Sequence, residues 1–592
     1  MKYETSKRLK YLGFFVLGVT CFFLGRFWKS GNPEDFVFRS GDFRKITEPG
    51  FSIVNSSYET GSDSSGGAND SVSYVVRNGK DDAGRIELCG PHMVNYVPCR
   101  DNFHGVKKIL SVSRGKSFDR YCPSESNLWF CLVPSPINYK LPLPWPESLS
   151  EVWIGNFPPS TLVRDGIKRN FFTQNKEKLR VQDDTQAHEL SKYLSKIHPN
   201  VTPGVHIKII LDVGSGLGRI GAAFHNVSSL HIAPKDFHRD GVQLSLERGI
   251  PSMLASFAMH RLPFPSEAFD MVYCSACDVE WTRDGGILLL EANRIIRGAG
   301  YFLLKIEVKK EEEHNFWSDV ENLSKQLCWT LINKMENVAL WKKPSDNKCY
   351  LTRGTGAQPP LCDAMENQDD VWYVPLKSCI PKLRERVRSI SVRNRYKSLD
   401  VPERLQNVEL DAYVPRVEAF LAEKFYWKMA VQSYIDELGW RKLQFRNVMD
   451  MRANFGGFAA ALAASDMKCW IINVIPVSGP NTLPLIYDQG LIGAVHDWCE
   501  PFDTYPRTYD LLHASGIFST EDKRCGIITI LLEMDRILRP GGHAYIRDSV
   551  SLLVRVEALT KLIGWRTEII DINEGVYGKS KILHCQKLLL HF

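Results

Sequence analysis

Two stretches of this 592-residue chain repeat each other, and the repeat constrains the fold more than any other feature. Residues 209–224 (IILDVGSGLGRIGAAF) align with 447–462 (NVMDMRANFGGFAAAL), and 289–304 (LLEANRIIRGAGYFLL) with 531–546 (LLEMDRILRPGGHAYI). Between them Phe269-Asp270 matches Tyr509-Asp510, so Asp212 to Asp270 spans 58 residues and Asp450 to Asp510 spans 60. Each copy runs from an apolar strand through a turn into a helix. The same elements at the same interval imply a duplicated α/β unit, and the length agrees, since one hydrophobic core does not serve so long a chain.

The first copy carries the chemistry. Residues 207–213 (IKIILDV) read as a buried strand ending at Asp212, followed at once by Gly214-Ser215-Gly216-Leu217-Gly218. Glycines in such a strand–loop–helix let a cofactor approach backbone N–H groups that a Cβ would shield. Asp236 stands 18 residues past Gly218, after a second strand at 228–233, where an acidic side chain accepts hydrogen bonds from a ribose. A solvated loop aspartate is the alternative. The candidate cofactor residues are therefore Asp212, Gly214, Ser215, Gly216, Gly218 and Asp236. In the second copy Arg452 and Asn454 replace the first two glycines, and side chains there intrude on a cofactor's path, which predicts a structural or substrate-binding second half.

The N-terminus predicts a membrane anchor. Residues 11–25 (YLGFFVLGVTCFFLG) are uncharged and apolar, and Phe27 and Trp28 extend them. Fifteen residues rise about 22 Å as a helix against a hydrocarbon core of about 30 Å, so the flanks are needed. No small-x-small cleavage site follows, and Lys2, Lys7, Arg8 and Lys10 place the short tail in the cytosol. The body is then lumenal. Sequons at Asn55, Asn69, Asn200, Asn226 and Asn322 fit that side, as do 14 of the 15 cysteines lying beyond the anchor. Cys89, Cys99, Cys122 and Cys131 read as disulfide partners of open pairing, their spacing being too wide for zinc knuckles. Cys274 and Cys277 form a lone CxxC after a predicted strand, for which buried packing is expected. The expected organisation is a cytosolic tail (1–10), a transmembrane anchor (11–28), a flexible stem (29–87), a Cys-rich segment with the first α/β unit (88–345), a connector (346–440) and the second unit (441–592). The net charge of +6 is too mild to argue for nucleic acid.

Dinucleotide enzymes share the opening motif, but residues 262–272 (LPFPSEAFDMV) and 288–304 (LLLEANRIIRGAGYFLL) resemble the fourth strand, helix and fifth strand of class I methyltransferases. In that fold the LPFP segment lies beside the adenine. The expected architecture is thus two tandem class I, Rossmann-like domains behind a single transmembrane helix, with S-adenosylmethionine as cofactor. More specific stretches are 144–146 (PWP), 233–236 (APKD), 246–251 (LERGIP), 372–376 (WYVPL), 447–451 (NVMDM), 496–500 (HDWCE) and 505–511 (YPRTYDL). With these the chain resembles, from about Cys89 to its end, the Quasimodo-type plant methyltransferases of pectin synthesis. It departs from them in three places: residues 179–188 lack the family's glycine-rich segment, Ser215 replaces a cysteine, and Arg297-Gly298-Ala299-Gly300 replaces a Pro-Gly-Gly turn.

The resemblance implies a type II Golgi membrane protein that methyl-esterifies homogalacturonan carboxylates. A uronate with a pKa near about 4 is already ionised, so methylation requires positioning rather than a general base. Residues 382–397 hold seven basic residues against one acid and would suit an acidic polysaccharide, or simply form a solvated face. Trp281, His496, Trp498 and Tyr505 either line a sugar or adenosine site or pack in the core. A small-molecule methyltransferase and a non-catalytic scaffold for a partner glycosyltransferase are the other functions compatible with these residues.

Overall fold

Apolar runs at the expected positions become strands that are covered on both faces. Ile209–Val213 is buried at every position, as a central parallel strand requires. The structure is a computed structural model that describes residues 85–108, 119–124, 127–156, 172–181, 194, 201–214, 218–224, 227–235, 241–275, 277–306, 310–335, 337–384, 401–406 and 416–589. The anchor at 11–28, the stem and the sequons at Asn55, Asn69, Asn200 and Asn226 lie outside them. Among the described residues no helix is long and apolar enough to cross a membrane. Asn322 is exposed on the helix Lys310–Gln326.

A small antiparallel sheet comes first: β1 (Glu151–Trp153), β2 (Phe172–Asn175) and β3 (Lys178–Val181), in the order β1-β3-β2. The first large sheet contains β4 (Ile209–Val213), β5 (Ser228–Ala233), β6 (Ser252–Leu254), β7 (Phe269–Ser275), β8 (Ile296–Lys305), β9 (Thr330–Met335) and β10 (Val338–Lys342). Its order is β6-β5-β4-β7-β8-β10-β9, parallel through β8 and antiparallel in the last two pairings. The second contains β11 (Asn447–Asp450), β12 (Trp470–Pro476), β13 (Ile492–His496), β14 (Tyr509–Ser515), β15 (Leu538–Arg547), β16 (Arg566–Asn573) and β17 (Lys579–Gln586). Its order, β13-β12-β11-β14-β15-β17-β16, is the same topology. Five parallel strands wound from a central first strand, closed by an antiparallel hairpin, are the class I methyltransferase arrangement.

The repeated residues turn out to be structural. Asp270 accepts hydrogen bonds from the N–H groups of Lys208 and Ile209 at 2.9 and 3.0 Å and pairs with Arg297 at 3.1 Å. Asp510 repeats this with the N–H groups of Arg446 and Asn447 at 2.9 and 2.8 Å, and with Arg539 at 3.3 Å. Glu291 and Glu533 each pair with an arginine three residues on, and each accepts from a backbone N–H, that of Leu262 or Phe502, at 2.8 Å. Each of these carboxylates has an arginine of its own copy beside it, and removing a carboxylate from such a buried pair costs about 3–5 kcal/mol. The altered turn also keeps its shape. Ala299 takes the left-handed conformation (φ 63°) that Gly541 takes in the second copy (φ 79°).

The halves meet through their edge strands in a two-fold-like manner. Leu254 N–H, in β6, donates to Asp503 O at 2.9 Å, and Val495 N–H, in β13, donates to Pro263 O at 3.1 Å. Arg297 reaches Tyr487 O at 2.7 Å, and its counterpart Arg539 reaches Leu246 O at 2.9 Å. The helix Arg416–Glu437, inside the segment expected to be a connector, packs on Gly457–Ala464 of the second half, with Trp427 against Phe458 at 5.5 Å between ring centres.

Disulfides join Cys89–Cys131, Cys99–Cys122, Cys328–Cys349, Cys362–Cys379 and Cys499–Cys525. Cys274 and Cys277 are buried as expected, but they are bonded to each other rather than merely packed. Placement explains the correction: Cys274 lies near the end of β7 with its Cα 5.4 Å from that of Cys277, within reach of a bridge.

Candidate cofactor site

At the C-terminal end of the first sheet, Asp212 is 7% exposed and lies 3.5 Å from His231 Nδ1 on β5. Gly214 has φ 151°, and a Cβ there would lie 2.8 Å from Ser275 O and 3.3 Å from Cys277 Cα. Gly218 has φ 63°, and its Cβ would meet Ile250 at 2.8 Å and Ser245 at 3.0 Å. Both glycines are thus demanded by the packing of the loop as well as by close approach of a ligand. The Cys274–Cys277 bridge holds the wall against which Gly214 sits. Ser215, Gly216 and Asp236 lie outside the described residues, as does 385–397 of the basic segment.

The corresponding place in the second half is filled by the protein itself. Glu423, on the helix Arg416–Glu437, accepts from Phe455 N–H at 3.2 and 3.3 Å and from Gly457 N–H at 3.2 Å. Those N–H groups open the helix Gly457–Ala464, where a partial positive charge and unsatisfied donors attract an anion. Trp427 closes over the same point, since a Cβ on Gly457 would come within 2.7 Å of its ring. Burial is the main force pushing the Glu423 carboxyl up to about 7; the two N–H groups and Arg452 oppose it, and Asp450 adds to it. Asp450 is itself buried against His513 at 3.1 Å, and Phe458 stacks on that imidazole at 3.9 Å between ring centres. Arg452, expected to intrude, lies with Nη1 3.1 Å from the Cβ position of Gly516. Glu423, a residue with no local signature in the sequence, occupies the loop amides in addition.

Trp281, His496, Trp498 and Tyr505 are each 2% exposed or less, which places them in the core. Burial, reinforced by Arg120, drives His496 well below the usual histidine range.

Residues 95–587 match the family model described as "Putative S-adenosyl-L-methionine-dependent methyltransferase". The chain belongs to this methyltransferase family. Among its relatives, the Arabidopsis thaliana proteins named Probable methyltransferase PMT11 and PMT12 are 48% and 46% identical over 520 and 514 residues. The alignments cover 86% and 85% of this chain and 74% and 75% of theirs. Among solved structures, a Methanococcus maripaludis protein described as a "putative s-adenosyl-l-methionine-dependent methyltransferase" aligns at 17% identity and TM-score 0.23, over 28% of this chain and 85% of its own. The family uses S-adenosylmethionine, and the present member is a methyltransferase of that kind. Asp212 lies on β4, Gly214 directly follows it, and Gly218 precedes the helix Arg219–Ala223.

Proposed function

We propose that the first half binds one S-adenosylmethionine and transfers its methyl group to the carboxylates of an acidic wall polysaccharide, homogalacturonan, in the Golgi lumen. The observation that carries the single-site reading is Glu423: the second half's loop amides already hold a carboxylate, where a cofactor's own carboxylate would bind. Six disulfides among the described residues support an oxidising compartment. An ionised uronate needs no base, so methyl transfer asks the protein for alignment of an oxygen with the sulfonium methyl.

Calorimetry with S-adenosylmethionine on the wild type and Gly216→Arg, followed by transfer of labelled methyl to polygalacturonate, tests this reading. One cofactor per chain, lost in the variant, with base-labile label on the polymer is the expected result. Two cofactors per chain would refute the single-site reading. Absence of binding by a folded protein would leave the scaffold for a glycosyltransferase.

A further inference from the structure

An open cleft lies between the halves, just beyond the end of β6. Ala255, Ser256 and the start of the LPFP segment form one wall, and Trp372 and Tyr373 form another. Backbone pairing fixes this geometry: Arg261 N–H donates to Val374 O and Leu376 N–H to Met259 O, both at 2.8 Å. Tyr373 is 41% exposed. His260 stands edge-on to it at 6.1 Å between ring centres.

The charges around the cleft are arranged unevenly. Asp119 is engaged by Met259 N–H at 3.1 Å and by His260 Nδ1 at 3.3 Å. Glu500 accepts from the Tyr373 hydroxyl at 3.0 Å, and Asp503 pairs with Arg100 at 3.3 Å and Arg120 at 3.4 Å. The acids are thus committed to protein partners. Because Nδ1 of His260 is engaged, Nε2 is the nitrogen it offers a ligand. Below, Arg120 lies over the Trp372 ring at 4.7 Å; its Nη2 donates to Pro501 O at 2.8 Å and pairs with Glu500 at 3.5 Å, while its buried Nη1 has no hydrogen-bond partner among the described residues. The hydrogen bond that His260 donates to Asp119 raises the imidazole above its ordinary value, which favours its charged form.

We infer that this cleft is a subsite for an acidic sugar of the acceptor chain, with the sugar's C–H face on Tyr373 and its carboxylate toward His260 and Arg120. The inference rests on the proposed polysaccharide activity. A polymer extends past the one residue being methylated, so it needs binding sites beside the reacting centre. An aromatic face beside cationic donors is suited to a hexuronate, which presents apolar C–H bonds on one side and a carboxylate at its rim.

The test is calorimetry on the full-length protein with a short oligogalacturonate and, separately, with S-adenosylhomocysteine, for wild type, His260→Ala, Tyr373→Ala and Tyr373→Phe. Loss of a charge-assisted hydrogen bond or of the ring should weaken the saccharide about tenfold or more. Tyr373→Phe, which keeps the ring, should bind near the wild-type level, and S-adenosylhomocysteine should be unaffected throughout. In the methylation assay KM for the polymer should rise while kcat holds. Weakened S-adenosylhomocysteine with unchanged saccharide would make the cleft an adenine pocket and overturn the inference. Absence of saccharide binding by the wild type would overturn it too. Polygalacturonate methylation with KM unchanged in both alanine variants sinks the subsite alone, whereas no methylation by the wild type sinks the activity itself.

Discussion

Replacing Glu423 with glutamine should make the protein more stable at neutral pH and leave it nearly unchanged in acid. The carboxyl titrates at about 7 in the folded chain against an ordinary 4.5, mainly because it is buried. A carboxyl whose folded value is raised stabilises the folded state when protonated, so its contribution is present in full below 4.5 and fades as the pH rises to 7. At about 1.4 kcal/mol per pH unit, the gap corresponds to roughly 3 kcal/mol of stability lost across that window. Glutamine keeps an oxygen to accept from Phe455 and Gly457 N–H but carries no charge to desolvate. Urea unfolding midpoints at pH 4.5, 6 and 8 measure the difference directly. The expected result is a variant that matches wild type at pH 4.5 and exceeds it by about 2–3 kcal/mol at pH 8. A variant that is less stable at pH 8 would refute the reasoning, because the ionised carboxylate would then gain more from the two N–H groups than burial takes away.

Gly214→Ala should abolish cofactor binding in calorimetry, since its Cβ would press to 2.8 Å from Ser275 O. Asp510→Ala leaves Arg446 buried without its carboxylate and Arg539 with Glu247 alone, and should cost about 3–5 kcal/mol in urea unfolding. Both arginines hold the Asp510 carboxyl below its ordinary value, so this contribution is present at neutral pH and is lost as the pH falls through the folded value. Ala299→Gly relieves a left-handed alanine (φ 63°) and should raise stability by up to about 1 kcal/mol, read as a higher urea midpoint.

Local pattern and repetition were enough to define two α/β units and the strand leading to Asp212. Apolar runs and glycine turns are short-range signals that repeat wherever the unit repeats. The same repeat carried Asp270, Asp510, Glu291 and Glu533, although only packing shows that these acids anchor arginines and backbone rather than touch a ligand. Glu423 was illegible, because it lies on an ordinary helix 32 residues from Phe455 and acts only once that helix docks. The bond between Cys274 and Cys277 depends on a 5.4 Å approach of their Cα atoms that sequence spacing does not fix. The cleft gathers Asp119, His260 and Tyr373 from segments separated by more than a hundred residues. Sequence periodicity determines which elements form, whereas the meeting of distant side chains depends on how the two sheets join at their edges, and only the tertiary structure decides that.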